Sequence, residues 1–110
     1  MVMRAGTRAP ARTVVVHARW SESDRPARAG LVVGRSVGPA VVRNRVARQL
    51  RHLLAPHLVR LPPGTDLVVR ALPAAGGASG VDLGRDLDSA IRRLRSRLGH
   101  SPGTQTGAYL

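Results

Sequence analysis

The sequence has no cysteine, no lysine and no phenylalanine, and its only aromatic side chains are one tryptophan and one tyrosine. Without cysteine the chain can form neither disulfides nor thiolate metal sites. With so few aromatic rings, the core must be built from Val, Leu, Ile and Ala, and base stacking on aromatic side chains can contribute little. No apolar run approaches the roughly 20 residues that span a membrane. Residues 1–12 also lack the apolar core of a signal peptide, so we expect a cytoplasmic protein.

Acidic residues are also scarce, because six of them face 18 basic residues, all arginine, for a formal net charge of +12. Such an excess repels itself in the folded state and indicates a polyanionic partner, either nucleic acid or an anionic membrane surface. Arginine suits forked contacts to phosphate and stacking on bases. A compositional bias of the source would also explain the missing lysine.

The pattern of apolar residues predicts one small α+β domain. We expect strands over 13–20, 30–36 and 65–72, helices over 39–54 and 82–98, and a flexible loop over 73–80. A short polar connection suggests that the first two strands form an antiparallel hairpin, and Pro56 is expected to limit the first helix. The order of elements favours a single two-layer sandwich, with two helices on a small, mostly antiparallel sheet. Residues 1–12 are expected to be a loose basic arm, 13–98 the folded domain and 99–110 a disordered tail.

The first helix separates apolar from cationic residues. Its core stripe is predicted to contain Val42, Val46, Leu50, Leu53 and Leu54. The other side carries Asn44, Arg45, Arg48, Arg51 and His52, with no acid between Leu31 and Asp66. Because unpaired like charges are costly without a polyanion, this face is predicted to bind phosphates, although a merely exposed basic helix stays an alternative.

Two residues depart from this simple pattern. Arg43 projects among the apolar positions, and we expect its guanidinium to reach past the edge of the core. Asn44 has poor helix propensity, and its amide can both donate and accept, which suits a ribose, a base edge or a bridging water.

The run VGPAVVRNRVARQLR resembles the arginine-rich signature of the bacterial ribonuclease P protein component. The matching positions are Val37, Gly38, Ala40, Val41, Arg43, Asn44, Arg45, Val46, Arg48, Leu50 and Arg51. The preceding LVVGRSVG is similar to the family's V-V-S-K-K-V-G, with Arg35 in place of one lysine. Ala47 stands where many members carry lysine, so one cation is missing from the face. The resemblance covers roughly residues 12–98.

The resemblance implies a protein subunit that binds a catalytic RNA and the 5′ leader of precursor tRNA. The RNA subunit would perform the hydrolysis with Mg²⁺, while the chain itself would hold no metal, cofactor or catalytic residue. The expected RNA-binding residues are Arg35, Arg43, Asn44, Arg45, Arg48, Arg51 and His52, and the expected leader-binding residues are His17 and Arg19. The family usually begins with a helix containing R-L-R-x-x-x-x-F ahead of the first strand, and we expect that helix to be missing here.

Other functions fit the residues less well. No Cys-His or Ser-His-Asp arrangement indicates an independent enzyme, and the four histidines have no metal-ligand spacing. A ribosomal-type structural RNA-binding protein shares the charge and layout and is the main alternative. A DNA-binding helix-turn-helix needs a second helix after a short turn, whereas Pro62-Pro63-Gly64 and a strand follow this one. We therefore expect no DNA partner, and no membrane partner because the apolar stripe is needed for the core.

Overall fold

The structure, a computed structural model, describes residues 7–99, with side chains described as far as residue 97. Its elements in chain order are β1 (Thr7–Pro10), β2 (Val14–Trp20), β3 (Arg28–Val32), a 3₁₀ helix (Arg35–Val37), α1 (Ala40–Arg60), β4 (Thr65–Ala71), a second 3₁₀ helix (Pro73–Gly77) and α2 (Gly80–Gly99). Helix α2 packs on β1 and β2, and α1 packs on β3 and α2. The predicted two-layer α+β sandwich is confirmed.

The sheet has the strand order β1-β2-β4-β3 and is antiparallel except for the parallel pair β3 and β4. One row of paired residues crosses all four strands: Ala9, Val16, Val69 and Leu31. The first three of these are fully buried and Leu31 is partly buried. Because strand side chains alternate between faces, this row and its equivalents form the floor on which the helices pack.

The predicted hairpin between the strands 13–20 and 30–36 is wrong. These strands correspond to β2 and β3, and β4 lies between them in the sheet. The segment between those two strands is held to the turn before β4. Ser21 donates its backbone N–H to Gly64 O (3.1 Å), and Gly64 donates its own to Arg25 O (2.8 Å). Gly64 has a φ of 85°, and an added Cβ there would lie 2.1 Å from Ser21 O, so this close crossing requires glycine.

Helix α1 does not stop before Pro56 as predicted but continues to Arg60. Proline removes one helical N–H, which leaves the carbonyl of His52 without its usual partner. Both residues are exposed, so water can bind that carbonyl. The turn after the proline is held by Leu58, which packs against the core, and by the buried Leu61. Tertiary packing therefore outweighs the local effect of proline.

The predicted loose N-terminal arm is wrong for Thr7–Pro10, which form the edge strand β1. Two arginines of α2 hold this strand through its backbone. Arg93 donates to Pro10 O (2.6 Å) and Arg97 donates to Arg8 O (2.8 Å). The short, proline-ended strand carries little sequence signal, and its position depends on β2 and α2.

The segment predicted as a flexible loop before α2 contains the 3₁₀ helix Pro73–Gly77, whose Ala75 is fully buried. The helical spacing of apolar residues in the sequence predicts a core stripe of Leu83, Leu87, Ile91, Leu94 and Leu98 for α2. The first four of these are buried. The side chain of Leu98, residues 1–6 and the tail 100–110, predicted to be disordered, lie outside the described residues.

Candidate nucleic-acid interface

Four predicted RNA-binding residues lie on the solvent side of α1 and form what we call the exposed α1 face. Asn44, Arg48, Arg51 and His52 are all exposed. Among residues 7–97, no acidic side chain forms an ion pair with Arg48 or Arg51. Valine and leucine on the opposite side of the helix enter the core, which fixes the direction in which the cations point. The helix therefore presents positive charge that nothing in the described protein neutralises.

Arg45 differs from these residues because it is partly buried and already has a protein partner. Its Nη2 donates a hydrogen bond of 2.8 Å to the carbonyl oxygen of Gly76 in the second 3₁₀ helix. Gly76 lies so close to the backbone of the first 3₁₀ helix that an added Cβ would be 2.1 Å from Val37 O. Arg45 thus ties the beginning of α1 to the second 3₁₀ helix, which itself lies against Val37 of the first.

Arg43 is partly buried, as its position among the apolar residues suggested, and its Nε donates to Gly38 O at 3.2 Å. Gly38 has a φ of 152°, and an added Cβ there would lie 3.1 Å from the side chain of Val42. Arg35 was expected in a strand, but β3 ends at Val32 and Arg35 begins the first 3₁₀ helix, where it is exposed. Arg35 and Arg43 therefore flank the entry to α1.

The predicted leader-binding residues lie on the other face of the sheet. His17 is half-buried and pairs with Arg8 on β1 and with Val68 on β4. Arg19 is exposed and pairs with Asp66 on β4. Within the described chain no helix packs on this face, so it is open to solvent. The structure separates the leader candidates from the α1 candidates by the full thickness of the sheet.

Sequence reasoning missed three cations of this open sheet face, namely Arg8, Arg28 and Arg70. The sequence predicts Arg8 in the loose arm and Arg28 in the polar connection between the strands 13–20 and 30–36. Arg70 lay in a predicted strand, and its alternation with the buried Val69 and Ala71 was the signal that could have placed it on the outer face.

One acid, Asp66, interrupts the positive charge of the open sheet face. Its Oδ1 lies 2.9 Å from Arg28 Nε and 3.4 Å from Arg25 Nη1. Burial tends to raise the pKa of this carboxyl, but the hydrogen bond from Arg28 and the charges of both arginines outweigh burial and lower it. Asp66 therefore stays ionised and offsets one of the two neighbouring charges.

His57 lies between the two helices, and its Nε2 is 3.8 Å from Asp88 Oδ1. Desolvation by burial lowers the pKa of His57 and outweighs the attraction of Asp88, while Arg60 and Arg95 lower it further. This histidine faces α2 and not the exposed α1 face, so it belongs to the packing between helices.

Residues 7–99 offer no group of three or more His, Asp or Glu side chains that could hold a metal ion. In the same range, neither helix is both long enough and apolar enough to cross a membrane. The exposed side of α1 offers guanidinium, imidazole and amide groups, and the open sheet face offers guanidinium and imidazole groups beside the carboxylate of Asp66. The cationic and amide groups can bind phosphates, riboses and base edges.

The fold and these two cationic surfaces define a small basic α+β protein suited to a nucleic-acid partner. A sequence profile of the family described as Ribonuclease P matches residues 1–95. The chain is 51% identical over 100 residues to the ribonuclease P protein component of Streptomyces bikiniensis, covering 84% of this chain and 81% of that protein. It is 47% identical over 104 residues to that of Acidothermus cellulolyticus, covering 94% and 86%.

Solved structures share the fold of this chain. The RNase P protein of Staphylococcus aureus superposes with a TM-score of 0.73 at 24% identity, covering 82% of each chain. That of Thermotoga maritima gives a TM-score of 0.69 at 25% identity, covering 80% of this chain and 83% of the other.

The chain belongs to the ribonuclease P protein family. It is thereby a protein component of the enzyme that matures the 5′ end of tRNA, with an RNA subunit as partner. This finding decides against the ribosomal-type and helix-turn-helix alternatives.

Proposed function

We propose that the exposed α1 face binds the catalytic RNA and that the open sheet face binds the 5′ leader of precursor tRNA. The RNA-binding residues are those predicted from the sequence: Arg35, Arg43, Asn44, Arg45, Arg48, Arg51 and His52. The leader-binding residues are His17 and Arg19, joined by Arg8 and Arg70. The proposal places the protein in the cytoplasm with its RNA partners.

The observation that carries the proposal is the charge of the α1 face. Arg48 and Arg51 are exposed and have no acidic partner among the described residues. Each exposed guanidinium can bind a phosphate in a forked geometry and release the counterions condensed on it. The contribution of the protein is therefore to position two RNAs and to reduce the repulsion between their phosphates.

The hydrolysis itself is assigned to the RNA subunit, where bound Mg²⁺ would supply a hydroxide for attack on the phosphodiester. In this division of labour the protein's own residues do not touch the reacting atoms. Arg48 and Arg51 hold the catalytic RNA, while His17 and Arg19 hold the leader on the opposite face of the sheet.

Salt-dependent binding tests the α1 face. Replacing Arg48 and Arg51 together with alanine should flatten the slope of log K against log salt for binding to the RNA subunit. The expected change is about 1.4 to 1.8 units, since each of the two phosphate contacts contributes about 0.7 to 0.9. The matched control is Arg85→Ala with Arg92→Ala, which removes the same charge from ion-paired positions on α2. If both pairs change the slope equally, only bulk charge matters and the α1 assignment is wrong.

Comparison of precursor with mature tRNA tests the sheet face. The variant His17→Ala with Arg19→Ala should weaken holoenzyme binding of precursor tRNA and leave binding of mature tRNA unchanged, because only the precursor carries a leader. Arg60→Ala, an exposed position at the end of α1, serves as the control. An equal loss for both tRNAs would remove the leader assignment.

A further inference from the structure

The two helices run side by side in the same direction. Three glycines, Gly76 before α2 and Gly80 and Gly84 within it, face longer side chains of α1. Arg45 bonds to Gly76, which lies 31 positions along the chain. The next two pairs, Gln49 with Gly80 and Leu53 with Gly84, have the same separation in sequence. An added Cβ at Gly80 would lie 3.4 Å from Gln49 Nε2, and one at Gly84 would lie 3.3 Å from Leu53 Cδ2. The glycines therefore let α1 approach the beginning of α2 closely.

An open cleft of about 370 Å³ lies at the middle of this contact, and Arg48, Gln49, His52, Leu53 and Gly80 line it. This volume is within the range of about 300 to 1,000 Å³ typical of small-molecule sites. Arg48 and His52 also belong to the exposed α1 face. The cleft is thus continuous with the surface proposed to bind the RNA subunit.

The side chain of Gln49 has an unmet hydrogen-bonding requirement beside this cleft. Its Oε1 is buried and has no hydrogen-bond partner among the described residues. Buried polar atoms are nearly always hydrogen-bonded, and an unpaired one beside an open cleft can be satisfied by a water or by a ligand that enters the cleft. Gln49 itself lines the cleft, and its amide can both accept and donate a hydrogen bond.

We propose that this cleft takes one unpaired nucleobase of the RNA partner, read by the amide of Gln49. Leu53 supplies an apolar wall, and Gly80 adds no side chain to the cleft from the side of α2. The planar groups of Arg48 and His52 at the rim can stack on the base, as guanidinium and imidazole groups do on splayed RNA bases. The inference rests on the proposed function, since it needs RNA on the α1 face.

A nucleotide titration followed by NMR separates base recognition from phosphate binding. Millimolar AMP should shift the backbone amides of Gly80 and Val81 and the side-chain amide of Gln49. Ribose 5-phosphate, which carries the same phosphate without a base, should leave those signals in place. Equal shifts with both compounds, or none with AMP, would overturn the nucleobase proposal.

Variants test the same cleft in the complex with the RNA subunit. Gln49→Leu should weaken binding about three- to tenfold, the range expected for one lost hydrogen bond, with no change in salt slope. It should fold at least as stably, because it removes an unsatisfied buried atom. Gly80→Ala narrows the cleft and should weaken binding too, whereas Gly77→Ala, whose Cβ would meet nothing within 4 Å, is the matched control.

The two proposals fail in different ways. If Arg48→Ala with Arg51→Ala leaves the salt slope unchanged, the α1 face does not bind the RNA. If that slope flattens as expected but Gln49→Leu and Gly80→Ala bind like the parent protein, the α1 face stands and the nucleobase cleft is overturned.

Discussion

The guanidinium of Arg45 donates a 2.8 Å hydrogen bond to the carbonyl oxygen of Gly76, across the boundary between α1 and the second 3₁₀ helix. A residue of the arginine-rich motif is therefore also part of the scaffold. Its partner is a glycine that cannot gain a side chain without meeting Val37 O at 2.1 Å. The position of the cationic face thus depends on a tight backbone contact far from it in sequence.

Replacing Gly76 with alanine should destabilise the protein by about 3 kcal/mol, the upper end of the usual cost of overpacking, because the new methyl group meets backbone that cannot move aside. Urea unfolding measures the change in the free energy of unfolding. Gly77→Ala should have little effect, since its Cβ would meet nothing within 4 Å. Equal stability of the two variants would show that the close approach to Val37 is unimportant.

Thr13 links the sheet to α2. Its hydroxyl and its backbone N–H donate to the same Asp86 oxygen, at 2.6 and 3.1 Å. Thr13→Val keeps the shape but loses the hydroxyl donor to a carboxylate, which should cost about 1.5 to 3 kcal/mol in thermal or chemical unfolding. Thr7→Val is the matched control, because Thr7 Oγ1 is buried and unpaired among the described residues, so that change should be neutral or stabilising. A loss at Thr7 as large as that at Thr13 would contradict this account.

His57 should make the stability depend on pH. Its pKa is lowered in the folded protein from 6.5, first by burial, with Arg60 and Arg95 adding to the effect and Asp88 opposing it. A lowered folded-state pKa means that the unfolded chain binds the proton more readily, so this contribution to stability is present above pH 6.5 and is lost as pH falls below it. His57→Gln should flatten the change in unfolding free energy between pH 5 and pH 7. The exposed His52→Gln is the control, and an unchanged profile for His57→Gln would refute the assignment.

Asn44 separates specific recognition from bulk charge. It is exposed among arginines and carries no charge, so Asn44→Ala should improve helix stability by about half a kcal/mol. If its amide contacts a ribose, a base edge or an ordered water, affinity for the RNA subunit should fall by about 0.5 to 1.5 kcal/mol with the salt slope unchanged. Binding measured at two salt concentrations decides the point, and unchanged affinity at both would mean that the motif acts through charge alone.

The sequence by itself determined the fold class, the core stripes of both helices and the face on which the α1 cations point. These features follow from local periodicity, because side chains repeat every 3.6 residues on a helix and every two on a strand. The alternation of Val14, Val16 and Ala18 with His17 and Arg19 in the sequence assigns these residues to opposite faces of β2, and the first three are buried in the structure. The arginine-rich motif supplied the family resemblance that the comparisons confirmed.

Only the tertiary structure decided which strands are neighbours, since backbone hydrogen bonds carry no signal in the sequence of a single strand. It placed β4 between β2 and β3, and it continued α1 through Pro56 because leucines beyond the proline reach the core. It also brought Gln49 beside Gly80 and Arg45 beside Gly76, contacts that depend on how closely two helical segments approach. Glycines set that distance, and their role becomes visible only when the facing residues are known.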